Sequence, residues 1–241
     1  MRKRYLGYKR WPAGVALFLA WATLAAGGES LNVREGYKAP FFTVPYAYAK
    51  PTIDGAIADD EWQGALSIAA LQTTGKAVSA RQTRWWILWD EDNLYFAMRS
   101  PLREGERPIQ FLRNHAKDIN VVFDDSFEIW LDMETIDPKT GLVAFFQFLC
   151  NFHGTRLDVV HQPSVGNSSI AWTAGWQPKS RLTPDSKAWE MEVVVPRASI
   201  YKNEPLADGM RFRCLLARNY KRPWEQNSIE GSSCFSAHDI W

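Results

Sequence analysis

Carboxylates are the groups in this 241-residue chain whose spacing could do chemistry. Glu190 and Glu192 stand two apart in "AWEMEVVVP", about 6.6 Å on a strand rising ~3.3 Å per residue. Paired acids roughly 5–9.5 Å apart hydrolyse glycosidic bonds when one of them stays protonated. An outward i, i+2 pair is also what any solvated strand presents, and the expectation here is surface carboxylates. Glu128 and Asp132 are about 13 Å apart by the same rise, too far for that reaction. No G-x-S-x-G, phosphate-binding loop or H-E-x-x-H occurs. The chain carries no enzyme signature.

Metal chemistry has weaker footing. "DDEW" (59–62) and "DEDN" (90–93) offer Asp59, Asp60, Asp90 and Asp92 as oxygen ligands for calcium, without the spacing of a calcium-binding loop. Such acids more often start turns and cap short helices. The histidines at 115, 153, 161 and 238 show no i, i+3 or i+4 pairing. A haem would need an axial pair such as Met98 with a histidine, and nothing in the spacing selects one. Cys150, Cys214 and Cys234 allow at most one internal disulfide and lack the spacing of a zinc site. Asn167-Ser168-Ser169 matches a glycosylation sequon.

The elements that must position these groups read as strands. "TRWWILWD" (83–90), "NLYFAMRS" (93–100), "SFEIWLDM" (126–133), "LVAFFQFLCNF" (142–152), "AWEMEVVVP" (188–196) and "MRFRCLLARNY" (210–220) are rich in β-branched and aromatic residues. Acid, Gly and Pro clusters separate them. Phe127, Ile129 and Leu131 alternate with Ser126, Glu128, Trp130 and Asp132. Trp189, Met191, Val193 and Val195 alternate with Glu190, Glu192 and Val194. That is the half-buried pattern of antiparallel sheets with one face on a core. Helical periodicity is limited to a possible turn at 59–65. The expectation is an all-β, two-sheet antiparallel sandwich of jelly-roll or immunoglobulin-like type.

Composition agrees with one such domain. Apolar residues make up 46% of the chain, and 12 residues are Trp, a density suited to a sheet core or a stacking surface. Residues 1–28 read as a signal peptide, with five cations in "MRKRYLGYKR" before a short apolar run and a small-residue cleavage point. Its removal takes five of 28 cations and none of 27 acids, so a formal charge of +1 becomes −4. A mildly acidic exported domain suits neither nucleic acid nor, after cleavage, a membrane. Residues 29–49 read as an extended lead-in and 50–241 as the sandwich.

Several stretches recur in a recognisable order. "PTIDGAIADDEW" (51–62), "WILWDEDNLYFA" (86–97) and "DDSFEIWLD" (124–132) are followed by "FQFLCNFHG" (146–154), "WEMEVVVP" (189–196) and "GMRFRCLLARN" (209–219). The set resembles the family 9 carbohydrate-binding module, a β-sandwich of secreted polysaccharide-degrading systems. The resemblance implies a secreted or periplasmic, non-catalytic binder of poly- or oligosaccharide in carbohydrate catabolism, beside or fused to a glycoside hydrolase. It makes Trp62 a core plug, Asp54-Gly55 the turn that sets it, and the surrounding acids a rim.

The implied sugar site is carried over residue by residue. Glu128 matches the family's glutamate in "x-E-I", and Gln147 and Asn151 fall near its polar pair. The family clamps a terminal sugar between two tryptophans. Phe123 is the nearest aromatic to one position; Phe235, His238 and Trp241 are the candidates near the other. The family's closing strand has no counterpart before Trp241. Two alternatives stand beside this reading: an interaction sandwich that lost the clamp, and a haem-binding redox sandwich.

Overall fold

The computed structural model describes residues 41–69, 72–73, 79, 81–113, 116–220 and 232–234. Two antiparallel sheets face each other. One has the order β1 (Leu66–Ile68), β3 (Arg84–Trp89), β4 (Asn93–Pro101), β10 (Ala188–Pro196), β9 (Gln177–Leu182). The other runs β2 (Gln72–Thr73), β12 (Ser232–Cys234), β11 (Arg213–Asn219), β5 (Ser126–Ile136), β6 (Val143–Asn151), β7 (Arg156–Gln162), β8 (Asn167–Ser169). Among the described residues helix is confined to the single turn α1 (Asp59–Trp62) and short 3₁₀ turns. The expected all-β sandwich is what forms.

The core lies between the sheets, where the two alternations meet. Phe127, Ile129 and Leu131 of β5 and Phe146 and Phe148 of β6 face Phe96 and Met98 of β4 and Trp189, Met191, Val193 and Val195 of β10. Each full burial of such a side chain contributes about 1.5–3 kcal/mol. Met98, the thioether named in the haem alternative, is 1% exposed among these apolar groups.

The outer faces depart from the half-solvated expectation. Residues 47–65 roof the five-stranded sheet, packing Ala47, Ile57 and Trp62 on Leu88, Tyr95 and Ala97. At one end of the seven-stranded sheet, Leu112, Ile119, Val121 and Val122 cover Leu149, Leu157 and Val159. Under the first roof the expected surface carboxylates are buried: Glu190 is 2% exposed and Glu192 is 0%. Glu190 is clasped by Arg99 at 2.6 Å and Arg181 at 3.2 Å. Glu192 accepts from the backbone N–H groups of Asp54 (3.0 Å) and Gly55 (2.8 Å) with one oxygen. With the other it accepts from the Trp62 indole N–H at 2.8 Å. Burial lifts its carboxyl above the ordinary range against these donors.

That clasp explains "PTIDGAIADDEW". Gly55 has φ +93°, and a Cβ there would stand 2.9 Å from the Ser180 backbone nitrogen, so only glycine lets the turn lie on β9. Trp62 is 2% exposed and is the plug the sequence implies. Asp59 and Asp60, the helix-start calcium candidates, occupy the first turn of α1.

Candidate binding face of the seven-stranded sheet

Glu128 projects from the outer face of β5 and remains half-buried. Cross-strand register sets Trp130 beside Gln147, and Phe145 beside His161. Glu128 Oε1 accepts from the Trp130 indole N–H at 2.6 Å and from Gln147 Nε2 at 2.5 Å. Its Oε2 accepts from Asn219 Nδ2 at 3.1 Å. A carboxylate offers about four acceptor positions, so these three donors leave one, on Oε2, unused.

The network fixes proton positions. Because Gln147 donates to Glu128, its Oε1 faces His161 Nε2 at 3.0 Å and must accept from it. His161 is therefore the Nε2–H tautomer, with Nδ1 accepting from the Ser168 hydroxyl at 2.8 Å. Burial holds this imidazole neutral by lowering its pKa to about 4. The result is an oriented chain from Ser168 through His161 and Gln147 to Glu128.

Aromatic rings lie over that chain. The His161 ring stacks on Trp130 (centroids 4.8 Å, planes 16° apart) and on Phe145 (4.7 Å, 15°). Trp130 and Phe145 are themselves 5.7 Å apart, and both are half-buried. Trp130 rests on Leu215 and Ala217 of β11. Aromatic faces pack on the C–H surfaces of sugar rings while the adjacent carboxylate accepts hydroxyl hydrogens.

The other candidate residues are placed differently. Asn151 shares the sheet face of Gln147 but is 0% exposed. It donates to Leu112 O (2.9 Å) and Asp124 Oδ2 (2.8 Å) and accepts from Thr155 N (2.9 Å). It works from beneath, tying a loop to the sheet. Phe123 is 50% exposed and ends the 3₁₀ turn Ile119–Phe123, next to Asp124. His238 and Trp241, like Phe235, lie outside the described residues.

Asp90 closes the turn before β4: Oδ1 accepts from Asp92 N and Asn93 N, and Oδ2 meets Tyr95 Oη at 2.7 Å and Lys50 Nζ at 2.8 Å. Asp92 pairs with Arg197 at 3.3 Å. Among the described residues no three carboxylate, imidazole or thiol groups converge as a metal requires. Sequence reasoning passed over Trp130, Phe145 and His161. Trp130 was legible, since it alternates onto the face of Glu128; Phe145 sits two residues before Gln147 on β6. His161 joins them only through the β6–β7 register.

No protein-family model and no curated protein sequence matches the chain. Solved structures share its fold. A family 9 carbohydrate-binding module from Caldicellulosiruptor kristjanssonii in complex with glucose is 15% identical, with a TM-score of 0.52 over 80% of this chain and 86% of that one. One from the same organism with cellotriose gives 14% identity and a TM-score of 0.51, covering 80% and 84%. A candidate carbohydrate-binding protein from Bacteroides uniformis gives 12% and 0.50, covering 71% and 76%. The architecture of this chain is that of solved carbohydrate-binding modules.

Proposed function

We propose that this chain is a non-catalytic carbohydrate-binding module and that its saccharide lies on the outer face of the seven-stranded sheet. One observation carries the reading: a half-exposed Trp130 ring, fixed by its indole N–H to Glu128 and stacked on His161 beside Phe145. The ring takes the apolar side of a pyranose. The open position on Glu128 takes a hydroxyl hydrogen. Gln147, His161 and Ser168 hold the carboxylate oriented, so little ordering remains to be done on binding. The shared fold with modules solved with glucose and cellotriose supports the same reading.

Family 9 character, export, a place in carbohydrate catabolism and work beside a glycoside hydrolase belong to this proposal through the leader-like residues 1–28 and the motif resemblance. Calorimetric titration with glucose, cello-oligosaccharides and xylo-oligosaccharides tests it. Trp130→Ala should weaken binding at least tenfold, as expected of a buried aromatic anchor. Binding that survives Trp130→Ala and Phe145→Ala unchanged removes this face as the site. An absence of any saccharide binding would favour an interaction sandwich.

A further inference from the structure

A second recessed surface opens beyond the end of β6, about 13 Å of strand past Gln147. It is a cleft of about 440 Å³ lined by Arg107, Gln110, Arg113, Phe152 and His153, among others. Its wall is built, not loose. Asp124 accepts from Phe111 N at 2.6 Å and Leu112 N at 3.2 Å. Asp125 accepts from Ile109 N at 2.9 Å, and Ile109 O accepts from Asp125 N at 2.7 Å. Asn151 ties Leu112 and Asp124 together from below. Besides these backbone N–H groups, Asp124 accepts from Asn151 Nδ2 at 2.8 Å and Asp125 faces Arg218 Nη2 at 3.4 Å, so both carboxylates are engaged under the loop.

The charge left facing the cleft is positive. Arg107 and Arg113 are both exposed. The nearest acid in sequence, Glu106, accepts from Arg81 Nη1 with both oxygens, at 2.8 and 2.9 Å. Gln110 Oε1 is shielded from solvent without a hydrogen-bond partner, an acceptor that a hydroxyl would satisfy. Phe152 and His153 add an edge-to-face ring pair. Two exposed phenylalanines flank Asp124: Phe123 in sequence, and Phe111, 68% exposed, through its backbone N–H. A cationic cleft with aromatic sides thus stands on a chain whose residues 29–241 carry a formal charge of −4.

We propose that this cleft is a subsite for an acidic saccharide, with Arg107 and Arg113 engaging the anionic group and Gln110 and His153 reading neighbouring hydroxyls. The guanidinium fork matches two oxygens of a carboxylate or a sulfate ester. Both groups present that chemistry, from a uronic acid or a sulfated sugar. The inference rests on saccharide binding as proposed above and specifies the ligand's charge.

The test is calorimetric titration of the full chain at low ionic strength with four probes: an oligogalacturonide, a sulfated oligosaccharide, a neutral cello-oligosaccharide and inorganic sulfate. At least one acidic saccharide should bind tenfold or more tightly than the neutral one. That preference should shrink in high salt as the charges are screened. Arg107→Gln and Arg113→Gln should each weaken acidic binding about ten- to a hundredfold, leaving neutral binding and the melting temperature unchanged. Arg113→Lys, which keeps charge without the fork, should fall between. Whichever acidic probe binds more tightly names the anion. Equal affinity for acidic and neutral sugars, or an Arg107→Gln/Arg113→Gln protein that binds acidic sugars like wild type, overturns the subsite while leaving the Trp130 face intact. Sulfate binding without any saccharide binding overturns it as well.

Discussion

Glu128→Ala separates a hub from an ornament. A solvated strand carboxylate could be removed with no change in stability. Here it accepts from Trp130, Gln147 and Asn219 at once. Gln147 is 2% exposed, so its amide N–H would lose its acceptor where water barely reaches, at a cost of ~1–3 kcal/mol. Trp130 is half-buried and would recover part of its loss from water, which brings the sum to about 2–4 kcal/mol. At roughly 2–4 °C per kcal/mol for a chain of this size, melting should fall by about 5–15 °C. Thermal unfolding followed by circular dichroism at neutral pH reads this directly. Glu128→Gln, which keeps one acceptor oxygen, should lose less. The double variant with Gln147→Ala should show coupling of about 0.5–3 kcal/mol. Melting within about 2 °C of wild type for Glu128→Ala would refute the network.

Two further outcomes are expected. His161, held near pKa 4 by burial against an ordinary 6.5, resists protonation in the folded chain, so its contribution is complete above pH 6.5 and lost as pH falls toward 4. Its imidazole resonances should titrate near pH 4, and a midpoint near 6.5 would contradict the buried Nε2–H tautomer. Trp62→Ala should cost at least the ~3–5 kcal/mol of a truncated core tryptophan, because it also leaves Glu192 Oε1 without its donor. Equilibrium denaturation in urea measures it, and a loss below about 1 kcal/mol would show that the roof is not anchored through this residue.

The interior was legible because period-two alternation needs only one strand to be read. Phe127, Ile129 and Leu131, and Trp189, Met191, Val193 and Val195, all turn inward as their spacing requires. What alternation cannot give is the cover on the other face. Glu190 and Glu192 do point away from the core, yet the roof over them comes from residues 47–65, more than a hundred positions earlier. Asn151 was legible as a polar residue on the right face, but its partners Leu112 and Asp124 lie on a separate loop. Glu128 and Trp130 were within reach of a single strand. His161 required knowing which residue of β7 stands opposite Phe145.

The Glu192 clasp also constrains the order in which the chain can assemble. Its partners Trp62, Gly55 and Asp54 precede it by 130, 137 and 138 residues. The strand bearing Glu192, β10, is the one that inserts between β4 and β9. Contacts of such separation form slowly, because the loop must close before they reward it. As synthesis proceeds from the N-terminus, the roof segment and the Leu88–Tyr95 surface beneath it emerge long before the carboxylate that locks them. Until β10 docks, an apolar sheet face has a cover but no latch. A chain that stops short of β10 therefore holds the Leu88–Tyr95 surface under a segment whose carboxylate partner is not yet in place.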